Sequence, residues 1–170
     1  METIKAFFNQ RAAQWDDDLP AILPARGAIA VLSGTKPGAN VLDIACGTGV
    51  MEPELLSLGA ASIVGIDIAE NMIARAQEKF SESDPIQFHA VDLLEFTGGP
   101  FDLALMYNAY PHFSDKSAVL QKVASLLSPG GRFTVAHGMG RHAVNAHHSG
   151  VASKVSVGLG PACDEAARWE

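Results

Sequence analysis

The chain has 170 residues, enough for one domain with a sizeable core. Its formal net charge is -7, and its 12 Lys and Arg residues form no basic run. Nucleic acid and an anionic membrane surface are therefore disfavoured as partners, since both need a basic patch against phosphate. Two cysteines, Cys46 and Cys163, make neither a disulfide framework nor a CxxC metal knuckle. No signal-peptide-like apolar core opens the sequence, and no apolar run reaches the roughly 20 residues of a membrane span. The expectation is a soluble, reduced, cytoplasmic protein.

Met1 to Asp18 reads as an amphipathic helix, with Ile4, Phe7, Phe8, Arg11, Ala12 and Trp15 at helical spacing. Leu19 to Lys36 carries the loop signals Pro20, Pro24 and Gly34 around a second helix, Arg26 to Leu32. From Asn40 the pattern changes to alternating strand and helix. Strands are expected at Val41 to Ala45, Ser62 to Asp67, Ile86 to Ala90, Phe101 to Tyr107 and Arg132 to His137. Helices are expected at Val50 to Leu58, Ala69 to Phe80 and Asp115 to Leu127. Pro53 fits the first turn of the first of these, where no backbone donor is needed, and Pro129-Gly130-Gly131 stops the last. A further helix is expected over Asp164 to Trp169.

Strands separated by helix-length segments indicate βαβ units and a parallel sheet buried on both faces. In such a sheet, ligands bind outside the carboxyl ends of the strands, where the strand order reverses. The first strand runs into VLDIACGTGV, Val41 to Val50. Small residues at 45 to 49 let the backbone approach a ligand closely. Gly47-Thr48-Gly49 is only half of a dinucleotide fingerprint, because Glu52 stands where its third glycine would fall and is poor company for a pyrophosphate. Asp43 repels phosphate but suits a cation or an amine. Asp67 ends the second strand, where a carboxylate can accept both hydroxyls of a ribose. Asp92 follows the third strand, placed to meet a base edge. Together they describe a pocket for a nucleoside without phosphates but with a positively charged tail.

The segments VLDIACGTG, VGIDIAENMIARAQEKF, FHAVDLLEF, FDLALMYNAYPHF and LLSPGGRFTVAH, in that order, resemble class I S-adenosylmethionine-dependent methyltransferases over about Phe7 to Gly150. FFNQRAAQWDD resembles the N-terminal helix that lids the cofactor in many of them. The resemblance implies a Rossmann-like, doubly wound, mainly parallel sheet of strand order 3-2-1-4-5, with helices on both faces. It implies one domain over 1–170: a helical lid at 1–36, a cofactor-binding core at 37–138 and a C-terminal segment at 139–170. Asp43 and the turn Ala45, Cys46, Gly47, Thr48 and Gly49 would hold the methionine end of S-adenosylmethionine. Asp67 would bind the ribose, Ile68 and Met72 the adenine face, and Asp92 and Leu93 the adenine amino group. Asn108 would sit beside the methionine tail. The family often has Gly where this chain has Ala45. Its antiparallel C-terminal hairpin has no counterpart here, so the fifth strand is expected to be an open edge that a second copy could cover.

The acceptor side rests on position more than on motif. Tyr107, Tyr110 and His112 follow the fourth strand, where the methyl group would be presented; His112 and Tyr110 are the candidate catalytic residues, against the alternative of loop packing around Pro111. Ala109 breaks the N-P-P-aromatic signature of nucleic-acid amino-methyltransferases. Trp15, Tyr107, His137, Asn145 and His148 are the candidate substrate contacts, with ordinary surface histidines the competing reading. Four histidines fall between His137 and His148, but none makes an i,i+4 pair, so no metal site is expected. Cys46 reads as a small apolar filler. The activity implied is in-line methyl transfer to a small-molecule acceptor. The alternatives are a non-catalytic S-adenosylmethionine-binding protein and, disfavoured by Asp43 and Glu52, a nicotinamide-dependent oxidoreductase.

Overall fold

The computed structural model describes residues 2–21, 23–82, 85–150, 155–156 and 158–167, with backbone alone at 2–3, 18–21, 23–24, 147–148, 150 and 162. Five strands form one sheet: β1 Asn40–Ile44, β2 Ser62–Asp67, β3 Ile86–Ala90, β4 Phe101–Tyr107 and β5 Leu127–Ala136. Their order is β3-β2-β1-β4-β5, and every neighbouring pair is parallel. The chain winds outward from β1 in both directions, so the order reverses between β1 and β4. That reversal opens a crevice at the carboxyl ends of the strands.

Side chains alternate across the strands and feed two cores. Leu42, Ile44, Ala104 and Met106 point to one face and pack with Val119, Val123 and Leu126 of helix α5 (Lys116–Leu126). Val41, Ile63, Leu103 and Leu105 point to the other face, against Ala30 of α2 (Leu23–Leu32) and Leu55 of α3 (Glu52–Ser57). Burial on both faces is why these strands are nearly continuous apolar runs. Helix α4 (Glu70–Lys79) sets Ile73 and Ala76 against Cys46 and Phe88.

The N-terminal segment and β5 differ most from the sequence expectation, while the other expected elements shift at their ends. The N-terminal α-helix, α1, is Glu2–Arg11, and the chain then tightens into a 3₁₀ helix, Ala12–Ala21. Tertiary contacts favour the tighter turn: Asp16 must reach Thr48, 2.5 Å away, and Lys79, 2.8 Å away. Strand β5 begins at Leu127 rather than Arg132. Leu127 pairs with Phe101 and Arg132 with Leu103, so residues 128–131 bulge out of the ladder. Gly131 is required there, since a Cβ would stand 2.9 Å from the Ser128 carbonyl oxygen. Beyond the sheet, α6 spans Arg141–Gly150 and α7 Ala162–Ala166; Trp169, expected to end the last helix, lies outside the described residues.

Candidate active site

The crevice is a cavity of about 780 Å³ at the β1/β4 switch point. Its floor is the turn after β1, and its roof is α1 with the 3₁₀ segment. The turn has an unusual backbone: Ala45 has φ 57° and Gly47 has φ 59°. Left-handed geometry costs an L-residue roughly 1–2 kcal/mol, so Ala45 is held there by its surroundings. Gly47 presents a bare backbone, with the indole nitrogen of Trp15 3.6 Å from where a Cβ would stand. Trp15 therefore caps the turn from the roof side, and Phe8 meets it edge-on at 5.7 Å between ring centroids.

The roof is fastened by polar contacts. Asn9 accepts from the Asn71 N–H at 2.9 Å and donates to Glu70 at 3.1 Å; Lys5 also pairs with Glu70. The Thr48 hydroxyl donates to Asp16 at 2.5 Å, and the Lys79 ammonium bridges to both. Thr48 is thereby turned away from the cavity. Gly49 also lies off its wall, packed where a Cβ would stand 2.6 Å from the Phe80 ring.

The three strand-end aspartates line one wall. Asp43 is buried, and its Oδ2 has no hydrogen-bond partner. Burial, then Glu52, then Asp67 push its carboxyl well above the usual carboxylate range. Asp67 accepts from the Gly47 N–H at 3.0 Å and the Ala69 N–H at 2.8 Å. Burial outweighs these bonds and raises its pKa. Each of its oxygens keeps a lone pair for a ligand hydroxyl. Asp92 accepts from the Leu94 N–H at 2.9 Å, which fixes the loop after β3. Ile68, Met72 and Leu93 supply apolar wall between these carboxylates.

Ala45, Cys46, Asn108, Trp15, Tyr107, His112 and His137, each expected at the site, all reach the cavity. Asn108 adopts φ 55° and accepts from the Gly138 N–H at 2.8 Å, tying the β4 loop to the β5 end. Burial pushes the Cys46 thiol well up, so it stays protonated and inert. His112 places Nδ1 2.8 Å from the Val155 carbonyl oxygen, which can only accept; Nδ1 carries the proton, and the neutral ring's acceptor is Nε2.

Other candidates are placed elsewhere. Tyr110 is buried off the cavity wall, under the Lys116 ammonium, and its hydroxyl donates to Glu165 at 3.3 Å. Asn145 clasps Leu159 through bonds of 3.0 and 2.8 Å to its carbonyl and N–H. The C-terminal segment occupies both side chains, a contact that local spacing does not reveal. The side chain of His148 lies outside the described residues. Phe7, Phe8 and Arg11 of α1, in the segment that resembles a cofactor lid, also line the wall, as do Met139 and Val144 beyond β5, which no local sequence signal singles out. Among the described residues, no three metal-ligating side chains converge.

A nucleoside-sized cavity, carboxylates at three strand ends and a glycine-bared turn are the features of one family. The sequence model of the methyltransferase domain matches residues 41–131. The chain belongs to the methyltransferase domain family. A ubiquinone biosynthesis O-methyltransferase of Bordetella avium is 32% identical over 135 residues, covering 73% of this chain and 56% of that protein. The chain thus spans little more than half the length of this curated relative. The DhpI–SAH complex superposes with a TM-score of 0.67 at 27% identity, over 79% of this chain and 67% of the other. The protein solved with the Haloferax volcanii Trm112 methyltransferase activator superposes at 0.80 with 18% identity, over 95% of this chain and 74% of the other. That last likeness is one of fold.

Proposed function

We propose that the chain binds S-adenosylmethionine in this cavity and transfers its methyl group to a small-molecule acceptor. The observation that carries the reading is the wall of three strand-end carboxylates facing a bare turn. The residues suit the group. Asp43 offers an orphaned carboxylate oxygen to an ammonium. Asp67 offers two oxygens to ribose hydroxyls. Asp92 offers its second oxygen to an amino group, and Met72 and Leu93 offer apolar contact.

The cofactor supplies an electrophilic methyl on a positively charged sulfur, a leaving group that needs no acid. The protein's task is therefore alignment, which can remove roughly 7–11 kcal/mol of barrier. The β1 turn and Asn108 fix the donor side. Phe8, His112, Phe113 and Met139 form the acceptor side, mainly apolar and aromatic. His112 Nε2 takes a proton if the acceptor is a hydroxyl, and the Nδ1–H bond to Val155 holds the tautomer that permits it. The relative's name, an O-methyltransferase, favours an oxygen acceptor. Closure of the roof by Trp15 and α1 excludes water from the reacting groups. The same reading includes a cytoplasmic setting, in which Cys46 and Cys163 stay reduced, and a homodimer across the β5 edge.

The test is Asp67→Ala. The variant should lose at least tenfold in S-adenosylhomocysteine affinity by calorimetric titration, with His112→Ala retaining affinity and losing turnover. Unchanged affinity in a folded Asp67→Ala protein would sink the site assignment.

A further inference from the structure

The sequence places Asn145 among the acceptor contacts, yet its carboxamide faces the C-terminal segment. It sits on α6 next to Val144, which is 4% exposed and lines the cavity. Its Nδ2 donates to the Leu159 carbonyl at 3.0 Å, and its Oδ1 accepts from the Leu159 N–H at 2.8 Å. One side chain thus satisfies both backbone groups of a residue that belongs to no helix or strand. The turn is shaped to admit this clasp. Gly158 has φ 74°, and a Cβ on it would stand 3.3 Å from Asn145 Oδ1. Val155, shortly before Leu159 in the chain, is buried, and its carbonyl oxygen lies 2.8 Å from His112 Nδ1.

We propose that Asn145 is a positioning residue for methyl transfer: by clasping Leu159 it fixes the Val155 carbonyl against His112 Nδ1, and so selects the ring tautomer whose proton acceptor is Nε2. This rests on the role given to His112 in the reading above. A carbonyl oxygen only accepts, so the contact demands a proton on Nδ1, and the ring's lone pair is then on Nε2. A hydroxyl acceptor gives its proton to that lone pair as its oxygen bonds to the methyl carbon, and the carbon–sulfur electron pair leaves with sulfur. The imidazolium keeps its Nδ1–H bond to Val155 and returns the Nε2 proton to solvent. With the carbonyl displaced, the ring reverts to the Nε2–H tautomer that histidine favours in water, and that nitrogen is no longer a base.

The surroundings fit this role. Leu159 packs against the core cluster that contains Tyr110 and Val119. Packing sets how deep the segment lies but not its register along the chain. The paired hydrogen bonds of Asn145 set the register, because they meet both polar groups of one residue. Glu165 of α7 adds a second tie, accepting from the Tyr110 hydroxyl and the Gly160 N–H, each at 3.3 Å. Tyr110 and His112 share one 3₁₀ turn after β4, so the segment grips the turn that carries the base. From the roof, Phe8 meets the His112 ring edge-on at 5.1 Å between centroids. The roof therefore orients the ring, and the C-terminal segment sets which nitrogen carries the proton.

Long-range ¹H–¹⁵N NMR of the ligand-free chain is the test, run at about pH 8.5, above the usual histidine range, so that the ring is neutral. The His112 signals are assigned by their absence in His112→Gln. In the wild type, Nδ1 should appear as the protonated nitrogen and Nε2 as the bare one. Asn145→Ala should lose that preference. Gly158→Ala should lose it too, because its Cβ pushes the turn off Asn145 from the other side. Ser149→Ala, exposed on the same helix with its hydroxyl on the Ala146 carbonyl, should keep it. Saturating S-adenosylhomocysteine should raise the melting temperature of each of these chains alike. A wild-type ring protonated on Nε2 would overturn the proposal whatever the variants do. So would a folded Asn145→Ala or Gly158→Ala chain that keeps the Nδ1–H form, or loss of that form in Ser149→Ala. A chain that gained no melting temperature from the ligand would overturn the reading of the cavity instead, with the tautomer result standing.

Discussion

At the scale of single residues, the site stores unfavourable electrostatics that a cationic ligand relieves. Glu52 is the clearest case. Its pKa is raised from 4.5 to about 7 in the folded chain, mainly by burial. The folded state thus holds the proton more tightly than the unfolded state. The resulting stability is full below about pH 4.5 and is lost as pH rises to about 7. Ligand-free protein should therefore melt lower at pH 7.5 than at pH 5.5, by about 2 kcal/mol of stability. Glu52→Gln should flatten that slope, with thermal melts at the two pH values as the measurement. Ala45, at φ 57°, gives a second residue-scale prediction. Ala45→Gly relieves left-handed strain while adding unfolded-state entropy, so stability should stay within about 1 kcal/mol or rise. Gly47→Ala, at φ 59°, should lose about 1 kcal/mol or more in denaturant titration. The strand-end carboxylates were legible because their place after an apolar strand sets their direction. The same logic misplaced Thr48 and Tyr110, whose side chains are claimed by Asp16 and Glu165 from distant parts of the sequence.

At the scale of elements, the loops carry the specificity and the helices hold them. Asp115 caps α5, accepting from the Ala118 N–H at 2.9 Å. Asp115→Ala should cost about 1 kcal/mol of unfolding free energy. Lys79→Met should loosen the roof by cutting the tie to Asp16 and Thr48, weakening ligand binding several-fold with little change in the urea midpoint. The expected bounds of β2, β3 and β4 match those observed: β4 is an apolar run buried on both faces, β2 is largely buried, and β3, at the sheet edge, is bounded by turn residues and buries Phe88 alone. The 3₁₀ segment at Ala12–Ala21 was not legible. Its spacing reads equally well as α-helix, and what selects the tighter turn is contact with the β1 loop. The early start of β5 was hidden for a related reason: Pro129-Gly130-Gly131 is a stop signal locally, but the ladder to β4 resumes across the bulge.

At the scale of the whole molecule, a doubly wound sheet places every strand-end carboxylate at one crevice, and the N-terminal segment roofs it. The net charge of -7 agrees with an acidic cavity that draws a cation. The order β3-β2-β1-β4-β5 follows from the alternating pattern together with the family resemblance; periodicity alone gave only the parallel sheet. The acceptor's identity is not legible at this scale, because its wall is assembled from α1, the β4 loop and residues beyond β5, and no single motif spans them. The central claim is the cofactor. It is tested most directly by melting the chain with and without saturating S-adenosylhomocysteine, with NADH as the control. At about 100 times the dissociation constant, binding adds about 2.7 kcal/mol, a rise of roughly 5–10 °C for a domain of this size. The account predicts that rise with S-adenosylhomocysteine and none with NADH. A rise with NADH alone, or with neither, would contradict it.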